Sequence, residues 1–244
     1  MKKVFLTLIL LSILPLATFS QENVYENSHI LWNREAYGGL IVHTSSWGLF
    51  YRSGKHKTGT RKRIWELEFV GIKSPKEKKI PVNYDNAKSY IFGKLNYLYF
   101  IRFGRGFQKI INHKPFWGGI ELRYCASGGL NLGITKPVYL YIVDNLNPDK
   151  LLEERYDPSI GQNYIYGRAP FLTGIDKISF HPGLYGKFGI NFEYGSNDKT
   201  VKALEIGGVV DGFMKPISIM AYEKSANVFY SLYLSISFGG RYNK

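Results

Sequence analysis

Two side chains near the start of the chain have the types that nucleophilic catalysis requires. His43 and Ser45 are two residues apart, so both would lie on one face of an extended strand. A histidine beside a serine can take up the hydroxyl proton while the serine oxygen attacks an acyl ester. No third residue that would orient the imidazole is evident, and chance placement on a strand is therefore the favoured interpretation.

Carboxylates at alternate positions of several segments form a second pattern with chemical potential. A pair of them could work as general acid and general base. The same segments also carry cations, and we expect an ion network in a narrow, side-chain-filled lumen instead. The acidic set is Glu66, Glu68, Glu121, Glu193, Glu205 and Asp211, and its expected cationic partners are Lys94, Arg102, Arg123 and Lys187.

The other residue types that bind cofactors or metals show no useful spacing. The five histidines are scattered, and Cys125, the only cysteine, is interpreted as a small filler on a strand, with a reactive thiol as the alternative. The glycine pairs at 38–39, 118–119, 128–129 and 207–208 lie in or beside strand patterns, which is typical of bends and not of phosphate loops. We therefore expect no catalytic, cofactor-binding or metal-binding residue, and no cofactor.

The elements that position these residues are predicted to be strands, and the last one is the clearest. Asn227 to Tyr242 alternates an apolar face with a smaller and more polar one, a period of two residues. The apolar face comprises Val228, Tyr230, Leu232, Leu234, Ile236 and Phe238. This alternation is typical of the closing strand of a transmembrane β-barrel, in which successive residues face lipid and lumen. The 16% of aromatic residues and the 26 glycines also favour strands.

The N-terminal segment is predicted to be a cleaved signal peptide. Lys2 and Lys3 form a basic start, residues 4–16 are apolar, and small residues precede a cleavage site before Gln21. No later stretch of about 18 apolar residues predicts a membrane helix. The expected organisation is a signal peptide over residues 1–20, a periplasmic lead-in over 21–35 and an outer-membrane barrel over 36–244.

Eight antiparallel strands are predicted for the barrel. They are Ala36–Arg52, Arg61–Lys73, Lys88–Gly104, Phe116–Ala126, Leu130–Val143, Lys177–Gly195, Thr200–Phe213 and Asn227–Tyr242. With this even number, the tight turns at 127–129 and 196–198 fall on the periplasmic side, and the long 144–176 connection falls outside. The connection over 74–87 is longer than a periplasmic turn should be. Ten strands remain open as an alternative, and merging residues 116–143 into one strand would leave seven.

The main rival fold is a soluble β-sandwich or lipocalin-like barrel, which would turn the apolar faces inward. Aromatic residues crowd the ends of the apolar faces, as in the girdles of membrane barrels, and the opposite faces mix both charge signs with Gly and Ser. These features favour the membrane barrel.

The formal charge is +13, which becomes +11 when Lys2 and Lys3 leave with the signal peptide. Export makes nucleic acid an improbable partner, so anionic headgroups, lipopolysaccharide or an acidic protein surface are expected instead. The segment Arg52 to Arg63 has six Lys or Arg residues in twelve. At an external strand end it could bind lipopolysaccharide phosphates, and a solvated loop is the alternative of equal weight.

Four segments resemble small outer-membrane barrels of the Bacteroidetes type, similar to the PorT-like group. They are Tyr233–Asn243 (YLSISFGGRYN), Gly118–Tyr124 (GGIELRY), Lys136–Tyr139 (KPVY) and Gly189–Glu193 (GINFE). The resemblance covers most of the mature chain and consists of similar residue patterns within strands. It includes no catalytic motif whose residues could be assigned to this chain. It implies a role in type IX protein secretion or as an accessory subunit of an outer-membrane assembly machine.

The function expected from the sequence is that of a non-catalytic outer-membrane barrel, an accessory subunit of a secretion or assembly complex. Its expected partners are outer-membrane lipid, lipopolysaccharide and proteins of that complex. The alternatives are a lipid A-modifying enzyme that uses His43 and Ser45, and a structural barrel that binds lipopolysaccharide.

Overall fold

The computed structural model describes residues 32–82, 87–114, 119–144, 150–195, 197 and 199–243. The predicted signal peptide and most of the predicted lead-in therefore lie outside the described residues. Within the described residues, no helix is long and apolar enough to cross a membrane.

Thirteen strands occur in the described residues. They are β1 (Arg34–His43), β2 (Ser46–His56), β3 (Arg61–Ile72), β4 (Lys79–Ile80), β5 (Tyr90–Ile91), β6 (Asn96–Asn112), β7 (Glu121–Pro137), β8 (Tyr139–Val143), β9 (Leu151–Arg155), β10 (Ile165–Arg168), β11 (Ser179–Glu193), β12 (Thr200–Ile217) and β13 (Ala226–Tyr242). Two 3₁₀ turns, Gln162–Tyr164 and Ile175–Lys177, lie between β9 and β11.

Eight of these strands form one closed antiparallel barrel in the order β1-β13-β12-β11-β7-β6-β3-β2. We traced the paired residues from strand to strand around the sheet, starting at Ala36 in β1. The trace arrives at Tyr230 in β13. The closing β1–β13 register instead pairs Ala36 with Gly240, an offset of ten residues. A stagger of this size over eight strands corresponds to a strand tilt of about 40°. The fold predicted from the sequence, an eight-stranded antiparallel barrel, is confirmed.

The faces of the strands are those of a membrane barrel. In β13, Leu232 is 71% exposed on the outer wall, whereas the neighbouring Tyr233 is 2% exposed in the lumen. In β3, Trp65, Leu67 and Phe69 are exposed on the outside while the intervening carboxylates are buried inside. An apolar outer wall around a charged interior excludes the soluble barrel and sandwich, because both would bury the apolar face.

The strand assignment differs from the prediction at two places. One predicted strand is two strands and two predicted strands contribute to one, so the number of barrel strands stays at eight. The predicted strand Ala36–Arg52 is a hairpin, with β1 and β2 joined at residues 44–45. The predicted strands Phe116–Ala126 and Leu130–Val143 instead contribute to one long strand, β7. Gly128 and Gly129 lie in the middle of β7, where a Cβ on Gly129 would come 2.3 Å from the Phe103 carbonyl oxygen. Gly129 therefore permits a close backbone approach and does not mark a turn.

The connections at the two ends of the barrel differ in length. Residues 57–60, 113–120 and 194–199 connect strands at one end, called the short-turn end below. The other end, the long-connection end, carries residues 44–45, 73–95, 138–178 and 218–225. The long connection over 74–87, which fitted poorly as a periplasmic turn, is thus on the same end as the 144–176 connection. Both contain short strands, but none of these joins the barrel.

The described parts of the two longest connections, residues 73–82, 87–95, 138–144 and 150–178, form a cap at the long-connection end. Strands β8, β9 and β10 form one small sheet, and β4 pairs with β5. Tyr90 from one connection packs with Val138, Leu140, Tyr156 and Ile165 from the other in a buried cluster. Tyr156 also accepts a hydrogen bond on its hydroxyl oxygen from the Gly93 backbone N–H, at 3.1 Å. The cap is therefore a packed unit with its own core.

We expect Leu140→Ala to loosen the cap and leave the barrel folded. Leu140 is fully buried in the cap cluster, and a Leu→Ala change in such a site costs about 2–5 kcal/mol. Limited trypsin digestion should then cut faster after Arg155 and Arg168, with the barrel fragment still protected. Leu172→Ala, the same change at a position that is 70% exposed, is the control. Unchanged cleavage in Leu140→Ala would contradict a packed cap.

Candidate functional site: the filled lumen

The centre of the lumen is organised by one guanidinium group. Arg52 on β2 donates from Nη1 and Nη2 to the two carboxylate oxygens of Glu205 on β12, at 2.6 and 2.8 Å. Its Nε donates to Glu66 on β3. Tyr233 donates its hydroxyl to Glu205 Oε1 at 2.8 Å, and Asn191 donates to Glu205 Oε2 at 3.1 Å. Bidentate pairing of this kind is the strongest form of side-chain hydrogen bonding, and it ties opposite walls together.

A second cluster lies towards the long-connection end. Arg102 donates from Nε and Nη2 to Asp211, both at 2.8 Å, and from Nη1 to Glu68 Oε1 at 3.1 Å. Lys187 donates to Glu68 Oε2 at 3.0 Å. Asn131 donates to Asp211 Oδ1 at 2.7 Å. The cluster thus joins strands β3, β6, β7, β11 and β12.

A third cluster lies at the short-turn end. Arg123 Nη1 and Arg241 Nη2 both donate to Glu193, each at 2.6 Å. Glu35 pairs with Lys62 and lies 3.4 Å from Arg241 Nε. The cluster joins the first and last strands of the barrel to β3, β7 and β11.

The buried charges of the lumen balance. Six cations and six carboxylates are buried in the described barrel strands with their side chains directed inward: Arg52, Lys62, Arg102, Arg123, Lys187 and Arg241, with Glu35, Glu66, Glu68, Glu193, Glu205 and Asp211. A balanced and mutually paired set limits the cost of removing charges from water. The positive charge of the chain therefore lies outside the lumen.

The lumen is closed by an apolar layer above the second cluster. Phe100, Phe213, Leu98 and Ile217 are buried together, with Phe229 packed against them. Phe100 and Phe213 lie 4.9 Å apart between ring centroids, and Phe229 meets both edge-on. Because neither these side chains nor those of the ion clusters are open to solvent, the described lumen offers no continuous water-filled path.

The structure brings most of the predicted acidic residues together in the ion network. Glu66, Glu68, Glu193, Glu205 and Asp211 all pair with cations in the lumen, and Glu121 pairs with Arg123 nearer the short-turn end. Among the expected cations, Arg102, Arg123 and Lys187 are lumenal. The sequence prediction missed Arg52, Lys62, Arg241 and Glu35. For Arg52 and Lys62, the alternation of β2 and β3 carried that information.

The prediction that Lys94 belongs to the lumenal ion network is wrong. It lies outside the barrel strands, in the connection between β5 and β6, where its Nζ is 2.6 Å from Glu77 Oε1 and 4.5 Å from the Tyr97 ring centroid. Burial lowers the pKa of Lys94, and the ion pair with Glu77 opposes that shift. Its physical role is to fix one connection of the cap.

The alternative in which His43 pairs with Ser45 does not occur, in keeping with the favoured interpretation of chance placement. Ser45 belongs to the turn between β1 and β2, whereas His43 ends β1 and points into the lumen. The hydroxyl beside the imidazole is that of Ser231, whose Oγ lies 3.1 Å from His43 Nδ1. The other ring nitrogen lies 3.5 Å from Glu68 Oε1. Closure of the barrel between β1 and β13 creates this contact, and sequence spacing gave no signal for it.

The basic stretch Arg52 to Arg63 is divided between two environments. Arg52 and Lys62 are buried in the lumen and paired with carboxylates. The rest of the stretch surrounds the 57–60 turn at the short-turn end, opposite the long connections. The predicted location at the external strand end therefore does not hold when the long connections face outward.

The thiol of Cys125 and the possible metal ligands show no arrangement suited to catalysis in the described residues. Cys125 is buried, and its thiol lies 3.2 Å from the Gly189 carbonyl oxygen, as expected for a filler. Within the described ranges, His, Cys, Asp and Glu side chains form no group of three that could hold a metal ion.

Comparisons with known proteins add little. No family model matches the chain, and no curated protein matches it at a significant level. Among solved structures, the crystal structure of Neisserial surface protein A (NspA) is similar, at 12% identity and a TM-score of 0.40 over 86% of this chain and 96% of that one. These values are too low to indicate a function. The resemblance to the PorT-like group is not confirmed and stays a prediction.

We expect Arg52→Met to destabilise the barrel strongly. It would leave Glu66 and Glu205 buried without their main cation, and breaking a buried ion pair in this way costs about 3–5 kcal/mol. The free energy of unfolding, measured by urea titration in lipid vesicles, should recover most of that loss when Glu66→Gln and Glu205→Gln are added. Arg155→Met in the exposed strand β9 is the control. A barrel that tolerates Arg52→Met alone would show that the central pairing is not required.

Proposed function

We propose that the protein is a non-catalytic barrel of the bacterial outer membrane, exported by a cleaved signal peptide, that works as an accessory subunit of a multi-protein complex. The complex would secrete proteins, in a type IX-like manner, or assemble outer-membrane proteins. The observation that carries the proposal is the combination of a closed lumen with a folded cap. A barrel without an open path is poorly suited to be a porin, which directs attention to its outer surfaces.

The asymmetry of the barrel ends supports an orientation. Outer-membrane barrels have short periplasmic turns and long external connections. The cap would then face the cell exterior, with both described ends of the chain on the periplasmic side. Residues 194, 195 and 199, which flank the predicted 196–198 turn, would then lie on the periplasmic side.

The cap carries an exposed apolar strip suited to a protein partner. Phe171, Leu172 and Ile175 are 56%, 70% and 55% exposed and lie close together in sequence beside the second 3₁₀ turn. Phe171 meets the Tyr97 ring edge-on at 5.9 Å, which holds the strip beside the outer rim of the barrel. Exposed apolar groups next to charged loops are typical of interaction sites.

We expect Leu172→Ser with Ile175→Ser to abolish capture of the partner complex without unfolding the barrel. Tagged protein would be purified from detergent-extracted outer membranes, and co-purifying proteins would be quantified by mass spectrometry. Wild type should recover a large secretion or assembly barrel in near-stoichiometric amount, whereas the double variant should lose about tenfold or more, since apolar anchors dominate such interfaces. Glu154→Gln on β9 is the control. Recovery of the wild type without protein partners would refute the accessory role.

An enzyme that modifies lipid A is the second candidate, favoured by the contact between His43 and Ser231. A serine hydroxyl 3.1 Å from an imidazole that in turn lies 3.5 Å from a carboxylate has the order of a nucleophile, base and acid. Glu68 is, however, already paired with Arg102 and Lys187, and the apolar layer lies over the site. Both features favour a structural role.

A serine-reactive fluorophosphonate separates these two candidates. The accessory role predicts no labelling of Ser231 in the folded barrel, and equal lipid A composition in wild type and Ser231→Ala. Labelling that disappears in both Ser231→Ala and His43→Gln would establish an enzyme. Ser225→Ala, a change at an exposed serine of the 218–225 connection, is the control for nonspecific labelling.

A lipopolysaccharide-binding structural barrel is the remaining alternative from the sequence. Its predicted site, the Arg52 to Arg63 stretch, lies on the periplasmic side in the orientation proposed above. Deletion of the 57–60 turn should therefore leave lipopolysaccharide binding unchanged.

A further inference from the structure

The outer wall of the barrel has charges of one sign. Every carboxylate of the described barrel strands points into the lumen or towards its short-turn mouth: Glu35, Glu66, Glu68, Glu121, Glu193, Glu205 and Asp211. The exposed outer positions of the same strands carry cations instead. These cations concentrate on neighbouring strands near the short-turn end.

The densest group lies on β3 and β6. Arg61, Arg63, Arg105 and Lys109 are exposed there and alternate with Trp65 and Phe107; these six residues are the basic wall patch. The register places Arg61 opposite Lys109, Arg63 opposite Phe107 and Trp65 opposite Arg105. On the other side of β3, Arg63 faces Lys55, which in turn faces Arg34 on β1.

Like charges directly opposite each other destabilise a sheet. Arg34, Lys55 and Arg63 form such a row across three strands, and Arg61 with Lys109 forms a second pair. None of the four cations of the basic wall patch forms an ion pair with any described residue. Folding of the chain leaves this repulsion between cations in place. An external anion bound at the patch would reduce it.

Arg105 gives the position of that anion. Lys109 lies near the short-turn end of β6, and Arg105 lies four residues before it, roughly 10 Å nearer the middle of the barrel along its axis. A cation facing lipid becomes more costly with depth. The guanidinium carbon of Arg105 lies 3.7 Å from the Trp65 ring centroid. The guanidinium carbon of Arg61 lies 5.1 Å from the Phe107 ring centroid. The aromatic rings hold both guanidinium groups against the wall. We expect Arg105, the deeper of the two, at the level where headgroups meet acyl chains.

We propose that the basic wall patch binds the phosphate headgroup of an anionic phospholipid in the leaflet at the short-turn end. The guanidinium groups of Arg63 and Arg105 bind the phosphate, because Arg matches phosphate oxygens bidentately. The acyl chains lie along the apolar wall next to Trp65 and Phe103, whose rings stack at 5.4 Å. An anionic lipid fits better than an acidic protein since the patch continues directly into the lipid-facing wall.

The test measures lipid retention by the whole protein. Detergent-solubilised barrel is incubated with equal amounts of phosphatidylglycerol and phosphatidylcholine, and bound lipids are counted by native mass spectrometry. Wild type should retain phosphatidylglycerol preferentially. Arg63→Gln with Arg105→Gln should reduce that preference about thirtyfold, because each basic residue near an anionic headgroup contributes about a factor of five. Arg105→Lys should lose only part of it, since it keeps the charge and loses the planar stacking.

The control removes two cations elsewhere. Lys150→Gln with Lys224→Gln lowers the charge equally at exposed positions of the long-connection end. Retention of the gel-mobility difference between unheated and heated samples would show that each variant is folded. An undiminished preference in Arg63→Gln/Arg105→Gln, or an equal loss in the control pair, would overturn the proposal. So would an acidic protein that is captured by wild type and lost with the patch while lipid retention stays the same. None of these outcomes depends on the accessory role of the cap.

Discussion

The bidentate pairing of Arg52 with Glu205, completed by Glu66, is the interaction on which the rest of the barrel depends. Arg52 and Glu205 lie 153 residues apart in the chain and on different sides of the barrel. A closed sheet fixes its strands only at their edges, so the interior needs cross-links that act through the lumen. Buried charges supply them because each charged side chain that enters the lumen needs an opposite charge close by, which in most cases another strand provides.

This pairing rule also determines the electrostatics of the outer surface. The lumen uses almost all of the carboxylates of the barrel strands and balances them with cations. The remaining basic residues are left on the wall and on the connections. Among those on the connections, Lys114 lies 3.7 Å from Glu193, whereas the four cations of the basic wall patch have no carboxylate partner among the described residues. A strongly basic exterior is therefore the counterpart of a neutral interior, and it directs the molecule towards anionic surfaces.

The two surfaces proposed to bind partners lie at different positions along the barrel axis. The ion clusters and the apolar layer fill the described lumen. The cap presents a structured surface at one end, while the basic wall patch lies near the other end. Since these surfaces are far apart and share no residue, contacts to a protein partner and to lipid can vary independently.

Local alternation in the sequence was sufficient to determine the barrel, the facing of its clearest strands and the membership of most of the ion network. The period of two in β3, β11, β12 and β13 assigns Glu66, Glu193, Asp211 and Ser235 to the lumen without knowledge of any partner strand. Only the tertiary structure decided the rest, because it depends on register. The β1–β2 turn carries neither Gly nor Pro, and Gly128-Gly129 is a close-approach site inside a long strand. The contact of His43 with Ser231 and the pairing of Arg52 with Glu205 both require the closed sheet, which brings residues far apart in sequence within hydrogen-bonding distance.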